Sequence, residues 1–176
     1  LGLGYLQRNQ LAEAESAFVK LTRLAPDDPL GFANLGLTYL QAGRFADAEK
    51  QLERARKLDP GSTETGLALA RVYALTGRGA DARTLLEQLA RDSTGNAHVL
   101  YAIAQLDSAQ ADSASAKRYR DRLSALLAVA PANLVARLAL VEAHARAGSA
   151  DSAVHQLEEV RRIERETGPL LQPSGH

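Results

Sequence analysis

The segment LGLGYLQRNQLAEAESAF, Leu1 to Phe18, is written almost a second time in LGLTYLQAGRFADAEKQL, Leu35 to Leu52, thirty-four residues on. A fixed internal period constrains a fold more than composition does, because each copy must take the same local structure and lie against its neighbour in the same way. Gly2 and Gly36, Tyr5 and Tyr39, Ala14 and Ala48, Phe18 and Leu52, and Pro26 and Pro60 share this register. One more step brings in Leu69, Ala70, Tyr73, Gly77, Ala82, Leu86 and Leu89. A fourth copy is degraded: Leu100, Ile103, Ala104, Ala111, Ala116 and Leu123 hold the register, but Asp107 stands for the tyrosine and Arg120 for the large apolar residue. Pro131 arrives late, so the second helix of this copy is expected to run about one turn longer. A fifth copy reads Leu140, Val141, His144, Gly148, Ala153, Leu157 and Val160.

Within a copy the apolar residues recur at three and four, as in Phe32, Leu35, Gly36, Tyr39 and then Phe45, Ala48, Leu52, Ala55, which places them on one face of each of two helices. Gly36 and Ala48 are small where two helix axes approach. Gly43, Gly77 and Gly148 are expected to end first helices in the left-handed conformation. Asp28-Pro29 reads as an N-cap carboxylate followed by a proline at the first helical position. The expected units are 1–28 (truncated), 29–62, 63–96, 97–133 and 134–167, forming a single array followed by an irregular tail, 168–176, that Gly168-Pro169 separates from the last helix. That last helix, about Ala150 to Glu166, is expected to be polar on its outer side through His155, Glu158, Glu159 and Arg162. A chain that begins in mid-pattern and without Met reads as a piece of a longer polypeptide.

The pattern resembles the tetratricopeptide repeat family, whose succession of Trp, Leu-Gly, Tyr, Gly, Ala, Phe, Ala and Pro is carried by Phe32, Leu35-Gly36, Tyr39, Gly43, Ala48, Leu52, Ala55 and Pro60. The likeness covers about residues 1–167. It implies an all-α fold, a right-handed α-solenoid of stacked antiparallel helix pairs, with a concave wall formed chiefly by the first helices. By register that wall comprises Leu3, Leu6 and Gln7; Leu30, Asn34, Leu37 and Gln41; Glu64, Ala68, Arg71 and Leu75; His98, Tyr101 and Gln105; and Val135, Leu138, Glu142 and Arg146. Members of the family that hold the C-terminal carboxylate of heat-shock chaperones use a clamp of Lys, Asn and Arg. Asn34 occupies its middle Asn position, but Leu3, Glu64 and Ala68 replace an Asn, a Lys and the Arg, so that clamp is absent.

Other chemistries find little support. Lys plus Arg equals Asp plus Glu at 21 each, so no net field favours nucleic acid or an anionic membrane. The chain has no cysteine, which removes disulfides, thiolate metal sites and thiol nucleophiles. No run of about 18 apolar residues reads as a membrane span. The histidines His98, His144, His155 and His176 lack metal-ligand spacing; His144 falls on the tyrosine register, and Asp151 with His155 reads as a surface ion pair. The basic cluster KRYRDR, Lys117 to Arg122, reads as a solvated helix face, with Asp121 four residues from Lys117. No catalytic set, metal site or cofactor site is expected in this segment.

The expected function is a protein-interaction scaffold that docks a partner polypeptide, or a subunit of an assembly, along the concave groove. The alternative is an accessory C-terminal repeat domain of a larger enzyme or a cofactor protein, for example a haem protein, whose chemistry lies upstream. A further reading is a lipid or small-molecule cavity around Leu37, Leu40 and Tyr101. The Arg-, Ala- and Leu-rich composition leans toward a bacterial protein of the cell envelope or periplasm.

Overall fold

The computed structural model describes residues 2–93, 95–108 and 113–167. Leu1, Ala111, and the tail 168–176 with Gly168-Pro169 and His176 lie outside them. Among the described residues there are ten α-helices and no strand: α1 (Gly2–Gln7), α2 (Leu11–Leu24), α3 (Pro29–Gln41), α4 (Phe45–Leu58), α5 (Thr63–Leu75), α6 (Gly79–Asp92), α7 (Ala97–Ser108), α8 (Ser113–Val129), α9 (Leu134–Arg146) and α10 (Ala150–Thr167). They form an all-α solenoid of helical hairpins, α1/α2 through α9/α10. The chain divides into two compact units, Leu1–Ser93 with three hairpins and Thr94–His176 with two.

Local chemistry sets the helix ends. Asp28 caps α3, its Oδ1 accepting from the Leu30 N–H at 2.9 Å, and Pro29 takes the first turn, where a missing N–H costs nothing. Ser62 and Asn133 cap α5 and α9 in the same way. Gly43, Gly77 and Gly148 turn their hairpins at φ of 73°, 79° and 71°. In the first hairpin Asn9 holds the equivalent turn at φ 57°, a role that Asn tolerates better than other side chains.

In the first unit Phe18, Leu35, Tyr39, Leu52, Leu69, Val72, Leu86 and Leu89 are buried. Close approach explains Gly36: a Cβ there would stand 2.6 Å from Leu52 Cγ, nearer than side chains tolerate. Gly66 makes the same kind of room for Leu89, at 2.7 Å. In the second unit Ala104, Leu123, Leu126, Ala136 and Leu140 form a core cluster on which Tyr101 and Tyr119 pack.

Four expectations change in the second unit. The helix α8 has 17 residues against 14 in α2, α4 and α6, but its buried residues are Ser115, Leu123 and Leu126, while Ala116 is exposed. Tyr119, one residue before the expected Arg120, is the one that packs on the core. Leu157, expected in the core of the last hairpin, is 37 % exposed, and Val154 beside it 55 %. The outer side of α10 is therefore only partly polar, because no later helix covers it among the described residues. Asp151 and His155 are exposed and form no ion pair; Arg162 pairs instead with Glu159 at 2.8 Å and with Glu166 at 2.9 Å.

Candidate functional site

The first helices of the hairpins carry the residues that register assigns to the wall. In the first unit α3 and α5 bring Leu30, Asn34, Leu37, Glu64 and Ala68 together around a hole of about 60 Å³, floored by the buried Leu52 and Thr65. Leu30 is 62 % exposed at its rim, and on the same helices Gln41, Arg71 and Leu75 are exposed. Leu3 on α1 is exposed as well, and Gln41 Nε2 donates to Asn9 Oδ1 at 3.1 Å. Leu40, one of the residues expected to line a lipid or small-molecule cavity, is buried in the core.

In the second unit His98 and Gln105 are exposed on α7 and Tyr101 is half-buried. On α9, Val135 and Leu138 are exposed, and Glu142 and Arg146 form an exposed ion pair at 3.2 Å. Burial pushes the Tyr119 phenol above its ordinary range, with Tyr101 and Glu142 adding to the shift and Arg146 opposing it. That places Tyr119, from the second helix α8, beside the wall residues of α7 and α9. The sequence reading missed Tyr119 because it sits between arginines in KRYRDR and because a one-residue slip in α8 put Arg120 on the packing register.

Polar clamps hold the hairpins that display these residues. Tyr39 Oη donates to Glu15 Oε1 at 2.9 Å, and the guanidinium of Arg44 pairs with Glu15 at 3.1 Å while lying 4.3 Å from the centre of the Tyr39 ring. One repeat later Arg78 pairs with Glu49 and lies 4.3 Å from the centre of the Tyr73 ring. Burial raises both phenol pKa values, Tyr39 further through its bond to Glu15 and Tyr73 through the charges of Glu53 and Glu49. Where Asp107 replaces the tyrosine, its carboxylate is fully buried and takes Arg122 Nε at 2.7 Å and Arg118 Nε at 3.4 Å. His144, on the same register, is half-buried.

Two larger cavities lie off the predicted residues, or only partly on them. One of about 620 Å³ opens between α4 and α6 over Leu69 and Tyr73 of α5, rimmed by Glu53, Lys57, Asp81 and Gln88. Another of about 830 Å³ lies among α1, α2 and α3 and includes Leu3, Leu30 and Asn34. Among the described residues no three His, Asp or Glu side chains could hold a metal ion, and no helix is long and apolar enough to cross a membrane. Lys117 and Asp121 form the expected pair at 2.7 Å, which takes one positive charge out of the KRYRDR cluster.

Comparison with known proteins follows the fold. The structure is similar to that of MamA, with a TM-score of 0.77 and 18 % identity over 96 % of this chain and 97 % of the other. Against MamA residues 41 to the end from Desulfovibrio magneticus RS-1 the TM-score is 0.76, at 16 % identity over 94 % and 92 % of the two chains. YrrB, described as a TPR protein with an unusual peptide-binding site, matches with a TM-score of 0.65 and 13 % identity over 93 % and 83 %. No curated protein matches the chain in sequence. Residues 1–63 and 39–106 each match a model described as a tetratricopeptide repeat, and the chain belongs to that family.

Proposed function

We propose that this tetratricopeptide-repeat chain is a protein-interaction scaffold, and that its first helices form the docking face for a partner polypeptide or a subunit of an assembly. The observation that carries this reading is the placement of exposed apolar side chains. Leu3, Leu30, Leu75, Val135 and Leu138 are all about half exposed or more, and all stand on α1, α3, α5 or α9 at wall positions. Leu24, Val129, Val154 and Leu157 of the second helices are exposed as well, but within each unit the exposed apolar residues of the first helices stand among hydrogen-bonding side chains, a combination that suits a face covered by a partner. The hydrogen-bonding side chains among them, Asn34, Gln41, Gln105 and the Glu142–Arg146 pair, supply direction without a strong field. Glu15, Glu49, Arg118, Arg122, Glu159 and Arg162 of the second helices are engaged in the clamps and ion pairs described above.

The reading assigns no chemical step to this segment. Crosslinking mass spectrometry on the protein from its native source tests it, since Lys20, Lys50 and Lys57 are exposed. Crosslinks from these lysines to one other polypeptide are expected, and Leu37→Glu or Tyr101→Glu should abolish them while the circular dichroism spectrum stays unchanged. Crosslinks that persist in both variants overturn the assignment of the face.

A further inference from the structure

The cavity between α4 and α6 lies on the side of the second helices, away from the docking face, and the repeat pattern shows what is unusual about its surroundings. In the second hairpin the ring of Phe32 on α3 is covered by Arg54 of α4, whose guanidinium lies 5.7 Å from its centre. Thirty-four residues on, Gly66 stands for the ring and Gln88 for the cation. A Cβ on Gly66 would be 3.2 Å from Nη1 of Arg56. The guanidinium of Arg56, from the last turn of α4, therefore rests against bare backbone of α5 at the level where the preceding hairpin carries an aromatic side chain.

Arg56 lines the cavity and is half-buried, and its Nη1 is buried with no acceptor among the described residues. No ion pair engages it there either. A guanidinium nitrogen withdrawn from water without an acceptor is unfavourable, and an anion entering the cavity relieves it. The floor is apolar, with Leu69 3 % and Leu85 8 % exposed. At the far end stands Tyr73. Burial first, then the charges of Glu53, Glu49 and Asp81, hold its phenol above the ordinary range, with Arg78 opposing, so that end of the cavity is acidic. The volume of about 620 Å³ falls within the ~300–1,000 Å³ of small-molecule sites.

We propose that this cavity is a binding site for a small monocarboxylic acid with an aliphatic body. Its carboxylate accepts a charge-assisted hydrogen bond from Arg56, and its chain lies over Leu69 and Leu85 toward Tyr73. The levels of Gly66 and Tyr73 on α5 are two turns, about 10 Å, apart, which sets the length of chain that fits. Glu53 and Asp81 repel a second negative charge at the far end, so a dicarboxylate is rejected. The site shares no lining residue with the docking face and stands or falls without it.

Amide chemical-shift titration of the isotope-labelled full chain with hexanoate, hexanol and adipate tests it. Hexanoate should bind about tenfold more tightly than hexanol, the effect of one charge-assisted hydrogen bond to a partly buried guanidinium, and more tightly than adipate, with the shifts confined to α4, α5 and α6. Arg56→Met keeps an unbranched stem against Gly66 and removes the donor, so hexanoate should fall to the affinity of hexanol. Thr84→Trp, at an exposed position on the rim, should block the cavity and abolish binding of both. No binding of hexanoate to the wild type, equal binding of hexanoate and hexanol, or hexanoate binding unchanged by Arg56→Met overturns the proposal. If Arg56→Met loses the dispersed spectrum of a folded chain, Thr84→Trp decides: undiminished hexanoate binding in that variant overturns the site.

Discussion

Near the end of the first helix of its hairpin, the first unit places Tyr39 and Tyr73, whereas the second places Asp107 and His144. The replacement alters which parts of the chain the polar side chains connect. A phenol has one proton to give, and a single carboxylate satisfies it, so Tyr39 can reach back to Glu15 and Arg44 can lock the same group. Those bonds run between successive hairpins, and Arg78 with Glu49 repeats the arrangement. A buried carboxylate demands more, because an uncompensated charge inside a protein is costly. Asp107 finds two guanidinium groups, both on α8 and therefore within its own hairpin. Buried Arg137 of α9 donates within its hairpin to Gln156 Oε1 of α10 at 3.0 Å, and outside it to the carbonyl of Pro131, in the turn between α8 and α9, at 2.9 Å. The clamps of the first unit tie hairpin to hairpin, whereas the Asp107 pairs of the second tie α7 to α8.

The comparison breaks most severely at Arg122. Arg122→Leu leaves the Asp107 carboxylate buried with only the longer Arg118 contact of those two, and should cost about 3 kcal/mol. That is the lower part of the range for a broken buried pair, because the Arg122 side chain is itself 31 % exposed. Hydrogen exchange should quicken in α7 and α8 and stay unchanged in α1 to α6; a uniform change across both units would contradict a clamp internal to the hairpin. Next comes Gly36→Ala, which forces a Cβ to 2.6 Å from Leu52 Cγ and should cost about 2 kcal/mol in urea unfolding.

Smaller, and aimed at the clamp between hairpins, is Tyr39→Phe, expected to cost about 1 kcal/mol near neutral pH through the lost bond to Glu15. Its pH dependence gives the sharper signature. The folded Tyr39 phenol is held above its ordinary value of 10.0, so the stability it contributes is fully present below pH 10 and lost as pH rises through the folded value. Thermal unfolding followed from pH 9 upward should therefore show a gap between wild type and Tyr39→Phe that closes as alkalinity increases.

Much of this was readable from the residues. Asp28-Pro29, the turn glycines Gly43, Gly77 and Gly148, and Gly36 against Leu52 are local or nearest-neighbour requirements, and a 34-residue period repeats them until they stand out. Legibility failed where the period was diluted. In α8 the run KRYRDR offers long side chains whose stems pack and whose heads reach solvent, so pattern alone does not say whether Tyr119 or Arg120 faces inward. At Asp107 the register marked a position but could not say that a charge would be buried there, since its partners Arg118 and Arg122 lie more than ten residues on. Leu157 looks like a core residue in the sequence because the same register position is buried in α4 and α6, at Leu52 and Leu86.

The links between successive hairpins of the first unit have a mechanical consequence. Glu15 with Tyr39 and Arg44, Asn9 with Gln41, and Glu49 with Arg78 all gather at the end of the hairpins where the chain turns at Asn9, Gly43 or Gly77. Hairpins riveted at one end behave as the leaves of a fan. The riveted end is a pivot, the far ends can spread or close by sliding apolar contacts, and dissolved salt, which weakens exposed ion pairs, loosens the rivet before it touches the leaves.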